Sequence, residues 1–191
     1  MSLRDDDLHR RAGLPAAFRY LEQDCARADW PVLRLHPSAL HWLAIHAWFR
    51  GALQDLADQG EAWREQRQDA AGYHAEALPR LGRLLGHLQG HHHIESEAYF
   101  PALARLEPDM AQGFALLDRD HEAIEGLMAA MAQAAVGLDR AAAGAQDLTP
   151  HAAALVAQIE RGGGLIGRHL TDEEEIVVPV FTLRGDPFDD Y

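Results

Sequence analysis

Two stretches of the chain carry the same side chains at the same spacing. His91-His92-His93-Ile94-Glu95-Ser96-Glu97-Ala98-Tyr99-Phe100-Pro101 is matched by His169-Leu170-Thr171-Asp172-Glu173-Glu174-Glu175-Ile176-Val177-Val178-Pro179. In each, a histidine is followed four residues later by a glutamate and ten residues later by a proline. A His and a Glu four apart on a helix project from one face, one turn above the other. Two such helices side by side would aim two imidazoles and two carboxylates at one point. That donor set suits a pair of bound metal ions.

The elements that would position these groups are helical. Ala and Leu abound, β-branched residues are sparse and no alternating strand pattern competes. Ser38 is a plausible N-cap for a first helix over about 39–57, and the polar, Gly-containing stretch 58–73 reads as a loop or frayed continuation. A second helix is expected over about 75–106, with Pro79 in its first turn or two. Pro108 opens a third, about 108–136, before a Gly- and Ala-rich connector at 137–148. Thr149 can cap a fourth helix from Pro150 to about Phe181. Residues 1–37 form a short N-terminal extension in which 16–27 could make one short helix, residues 38–183 form the helical domain, and 184–191 form a C-terminal tail. The fold class is therefore all-α, an antiparallel up-down-up-down four-helix bundle. The glycines at 162–164 are awkward inside the fourth helix, and mark either close approach of a neighbour or a local bend.

Each helix has a histidine on its apolar side. His46 lies with Trp42, Leu43, Phe49 and Leu53; His91 with Leu84, Leu88 and Ile94; His121 with Phe114, Leu117 and Ile124; His169 with Ile166, Ile176 and Val177. One such histidine is more often a hydrogen-bonded core residue than a ligand. Four, one per helix, with Glu95 and Glu173 on the same faces, would cost several kcal/mol to bury without a shared partner. Consecutive helical positions diverge by about 100°, so His91, His92 and His93 cannot all face inward. The repeat selects His91, because Leu170 stands where His92 would be; His92 and His93 are expected in outer or solvated positions. Glu97 and Glu175 point about 160° away and read as surface charges. On the third helix Glu125 follows His121 by four and is a further carboxylate donor, with Asp118 weaker. His87 is either a spare ligand or core packing, and His9, His36, His41, His74 and His151 read as solvated.

The metal ligands expected are thus His46, His91, Glu95, His121, Glu125, His169 and Glu173. Glu95 and Glu173 would bridge, His46 and His91 would serve one ion, and His121, His169 and Glu125 the other. Mixed imidazole and carboxylate donors fit iron or manganese pairs better than structural zinc, which favours a closed, thiolate-rich tetrahedron.

The blocks His46-Ala-Trp-Phe-Arg, His91-His92…Glu95…Phe100-Pro101-Ala102-Leu103, Asp120-His121-Glu122 and His169-Leu170…Glu173-Glu174…Pro179 resemble the hemerythrin-like, or HHE cation-binding, domain over roughly residues 40–181. The resemblance implies a four-helix bundle holding a non-haem, carboxylate-bridged pair of iron ions, in preference to manganese or zinc. It implies binding or sensing of oxygen or a related small oxidant such as peroxide or nitrogen oxides. Oxygen carriers of that family have a second histidine four residues after the third-helix one. Glu125 in its place turns the expectation from reversible storage toward reactive or sensory chemistry. A di-iron oxidase or peroxidase-type enzyme, or a metal-free helical interaction module, are the alternatives.

Composition excludes other classes. Seventeen Lys and Arg against thirty Asp and Glu leave a formal charge of −13, which disfavours nucleic acid and anionic membranes as partners. The single cysteine, Cys25, cannot form an intramolecular disulfide. No apolar run reaches the roughly 20 residues of a membrane span and the acidic start is no signal peptide, so a cytoplasmic protein is expected. A homodimer is among the assemblies open to it.

Overall fold

The computed structural model describes residues 7–189 and is all-α. The helices are α1 (Pro37–Arg64), α2 (Ala70–Ile94), α3 (Phe100–Leu106), α4 (Ala111–Ala143) and α5 (Thr149–Arg184). A π-helical turn, Glu95–Tyr99, joins α2 to α3 with helical dihedrals on both sides, so the two form one rod of the four-helix bundle. Among the described residues no helix is long and apolar enough to cross a membrane.

The chain divides into two compact units. The first gathers the N-terminal segment, the start of α1, residues 91–122 and the end of α5 from residue 167. Helix directions within it alternate, as an antiparallel bundle requires. The second holds residues 48–90 and 123–166. Among the described residues, every buried histidine and carboxylate belongs to the first unit. The second is packed from aliphatic side chains such as Leu56, Leu81, Leu84 and Leu155, with Tyr73 among them.

Several boundaries differ from expectation, each for a physical reason. The α1 helix continues through the polar stretch to Arg64, because Leu56 and Gly60 keep its buried stripe going: a Cβ at Gly60 would come within 3.1 Å of Val156. The α2 helix starts at Ala70, where Asp69 accepts the Gly72 N–H at 2.7 Å, so Pro79 lies in the helix interior. The connector before α5 is shorter than expected, since Leu138 and Ala141 bury the end of α4. Ser38 does not cap α1. His36 Nδ1 accepts the Ser38 N–H at 3.2 Å, and the hydroxyl donates to Asp186. Asp147 accepts the Thr149 N–H ahead of α5. Of the glycine readings, close approach describes Gly162, where an added Cβ would collide with Met131 Cε.

Residues 16–27 form no α-helix. They make short 3-10 turns at Ala16–Phe18 and Tyr20–Gln23, since an isolated helix of this length is marginal and tertiary burial decides instead. Leu14, Phe18, Leu21 and Cys25 enter the core of the first unit, each large one contributing about 1.5–3 kcal/mol. Arg168 fastens this arm by donating to the carbonyls of Leu8, at 3.0 Å, and Arg11, at 2.6 Å. Residues 1–6 and the last two of the tail lie outside the described residues.

Candidate metal centre

In the first unit, the start of α1, the end of α2 with its π turn, the start of α4 and the end of α5 each present buried donors. Two groups have donor atoms within 4.8 Å of one another: His46, His91, Glu95 and Glu173, and His92, His121 and His169. The two glutamates span them. Glu95 Oε1 lies 2.7 Å from His91 Nε2, and its Oε2 lies 3.4 Å from His121 Nε2. Glu173 Oε1 lies 3.5 Å from His46 Nε2, and its Oε2 lies 3.4 Å from His169 Nε2. Each carboxylate thus turns one oxygen toward each group.

These contacts are close but not aligned as hydrogen bonds. Among the described residues, both Glu95 oxygens, Glu173 Oε2, both His92 nitrogens, His121 Nε2 and His169 Nε2 are buried without a hydrogen-bond partner. A buried polar atom left unpaired costs about 1–3 kcal/mol. Seven converging in one unit is the arrangement that cations relieve, and the imidazole and carboxylate donor set fits them.

Behind the donors, the other ring nitrogens are held. His46 Nδ1 meets Glu174 Oε1 at 3.0 Å, His121 Nδ1 meets Ser96 Oγ at 2.9 Å, and His169 Nδ1 meets Asp120 Oδ2 at 3.2 Å. With a proton on Nδ1, each ring turns its Nε2 lone pair toward the cluster. Trp42 Nε1 donates to Glu173 Oε1.

Electrostatics separates the groups. Burial lowers His91 and His121 to about 4 and drives His92 further down, leaving these imidazoles neutral and free to ligate. Burial would lower His46 too, but Glu173 and Glu174 outweigh it and raise it to about 9. Glu95 is raised well above the usual carboxylate range by burial and then by the charge of Glu173. Burial also pushes Glu173 upward, yet His46, His169 and His91 overcome it and hold it low. Without a cation the two carboxylates cannot both stay ionised, and Glu95, which has no donor behind it, takes the proton.

Of the residues expected from sequence, His46, His91, Glu95, His121, His169 and Glu173 are brought together. Glu125 is not. It is exposed and in neither group, because the buried arc of α4 lies on the other side of His121. His87 is likewise exposed, against Trp48. His93 and Glu97 are exposed, as read from sequence, whereas Glu175 is half-buried beside Arg27.

His92 corrects the sequence reading: it is buried and stacks on His121 with ring centroids 4.0 Å apart. The buried stripe of α2 is centred between His91 and His92, each about 50° off its middle, so both turn inward. Leu84 and Leu88, buried at eight and four residues before His92, were the available signal. Trp42, Asp120 and Glu174 were missed as supporting groups because only neighbouring elements place them behind the ligands.

The hemerythrin HHE cation binding domain model matches residues 40–181. No curated protein and no solved structure matches the chain.

Proposed function

The chain belongs to the hemerythrin HHE cation-binding family, and on that premise we propose that it holds a carboxylate-bridged pair of iron ions and binds or senses oxygen or a related small oxidant. The observation that carries this is the pair of buried glutamates, each turning one oxygen to each of two histidine groups, while both Glu95 oxygens and Glu173 Oε2 have no hydrogen-bond partner among the described residues. On this reading His46 and His91 serve one ion, His92, His121 and His169 the other, and Glu95 and Glu173 bridge. Bound iron would supply open coordination positions and one-electron chemistry toward oxygen, peroxide or nitrogen oxides. The protein's own part is to keep His91, His92 and His121 neutral by burial, to direct Nδ1 of His46, His121 and His169 at Glu174, Ser96 and Asp120, and to limit water with an apolar shell.

The mixed donor set and the absence of thiolates among the grouped residues fit iron or manganese rather than structural zinc, and membership of the hemerythrin family supports iron. Glu125 is exposed and lies in neither donor group, so it adds no carboxylate to the centre that would disfavour reversible binding. Binding or sensing therefore stands ahead of oxidase or peroxidase turnover. The metal-free interaction module would leave these seven buried atoms without hydrogen-bond partners among the described residues.

Elemental analysis with an optical spectrum of protein produced with iron tests the proposal. About two irons per chain with near-ultraviolet absorption of a bridged pair is the expected result. Well under one metal per chain would return the reading to a metal-free module.

A further inference from the structure

Residues 8–27 precede the region matched by the family model, yet they reach the centre in two places. Arg11 is buried; it donates from Nε to Asp172 at 2.8 Å and from Nη1 to Asp120 at 2.7 Å, with Nη2 also on Asp120. Asp120 in turn meets His169 Nδ1. Arg27 donates from Nη2 to Glu174 Oε2 at 2.8 Å, and the other oxygen of Glu174 meets His46 Nδ1. Each arginine therefore stands behind a carboxylate that stands behind one ligand histidine. One chain ends on the three-histidine group and the other on the group containing His46.

Resting on the metal-centre reading above, we propose that the N-terminal arm is a working part of the centre. Arg11 positions His169 and Arg27 positions His46, each through a shared carboxylate, and cation binding and arm docking reinforce one another. The physical case is a matter of charge and direction. Asp120 and Asp172 are almost wholly buried side by side, and a carboxylate there keeps its charge only with a paired cation. The bidentate guanidinium supplies it and fixes which oxygen faces the imidazole. A fixed oxygen sets the ring's tautomer and tilt, on which its value as a ligand depends. Coupling between sites is reciprocal, so an occupied centre must hold the arm more tightly than an empty one. A purely structural cover would contribute to stability but leave each group's affinity and spectrum alone.

The test uses the full chain and Co(II) alone as probe, titrated without oxygen and followed by visible bands and by hydrogen exchange of residues 8–27. Arg27 is 41% exposed, so Arg27→Gln should fold. Its expected effect is about a 10-fold weakening of one of two cobalt ions with altered bands, recovered in part by Arg27→Lys. Arg11→Gln should weaken the other ion. The Arg10 and Arg11 amides, which bond the Asp7 carbonyl, should exchange more slowly in wild type with cobalt than without. That exchange measurement stands even if Arg11→Gln fails to fold. Unchanged affinities and bands in Arg27→Gln, together with arm exchange indifferent to cobalt, would overturn the proposal while a wild type that binds two ions leaves the metal centre intact. A wild type that binds no cobalt would overturn both.

Discussion

In the first copy of the repeat, His91, Glu95 and Pro101 span the end of α2, a π turn and the start of α3, and the outer side is open to solvent at His93 and Ile94 of α2 and at Glu97 of the turn. In the second, His169, Glu173 and Pro179 lie along unbroken α5, where Ile176, Val177, Val178, Val180 and Phe181 are all buried and the arm pairs with Asp172 and Glu174. The spacing decides which side chains face the centre; burial of the back decides what stands behind them. The fifth residue after each histidine shows this. In the first copy it is Ser96, a neutral hydroxyl against His121 Nδ1, and in the second Glu174, a carboxylate against His46 Nδ1. The π turn also has a geometric role: one extra residue sets the phase back by about 100°, returning Phe100 and Leu103 to the buried face.

The most drastic way to break the comparison is at the shared glutamates. Glu95→Ala and Glu173→Ala should each eliminate the paired-metal signature, because either change removes an oxygen from both groups, while exposed Glu97→Ala leaves metal content and near-ultraviolet absorption intact. Equal loss at all three would mean the α2 faces are misassigned. Next in size come the positions where the copies differ, His92 and Leu170. His92→Ala should reduce binding from two metals to about one, whereas Leu170→Ala, at a fully buried apolar site, should lower stability by about 2–5 kcal/mol with metal content unchanged. Metal analysis beside chemical denaturation separates the two outcomes.

A smaller effect follows from the differing fifth residues, in protein stripped of metal. Burial depresses His91 and His121 to about 4, so between about pH 4 and 6.5 these two histidines bind fewer protons in the folded chain than in the unfolded one and their contribution to stability rises with pH. His46, raised to about 9 against the burial that opposes it, keeps a proton the unfolded chain has lost. Its contribution is complete below about pH 6.5 and is lost as pH climbs through about 9. Thermal unfolding after chelation should therefore show a maximum near pH 6.5. Glu174→Gln should flatten the alkaline limb, and Ser96→Ala should not. A Tm still rising from pH 7 to 9 would refute this ordering.

Helix type and number, and the gathering of six of the seven expected donors in one unit, were legible because His46, His91, His121 and His169 each sit at helical spacing within an apolar stripe. His92 was not, because the repeat pointed to one histidine per copy, and only the stripe through Leu84 and Leu88 reveals a face centred between His91 and His92. The arm was illegible for a different reason. Nothing local to Arg11 or Arg27 indicates a carboxylate partner more than a hundred residues away, and it is tertiary packing that buries Asp120, Asp172 and Glu174. The π turn escaped as well, since no single residue in 95–99 forces it.

Glu125 carries the smallest expected effect and the sharpest check on α4. With His121 as zero on the helical wheel, buried Leu117, Ile124 and Met128 fall at about −40°, −60° and −20°, and Asp120 at about −100°. Glu125 falls at about +40°, beyond the edge of that arc, and is exposed. Spacing of four put it on the same side as His121, but that side is the margin of the buried stripe, not its centre. Glu125→Ala should therefore leave two metals per chain, the same spectrum and an unchanged Tm, in contrast to His92→Ala, which loses one. If the two results were exchanged, the ligand on the second ion would come from α4 rather than α2, and the stacked His92 and His121 rings would be core packing.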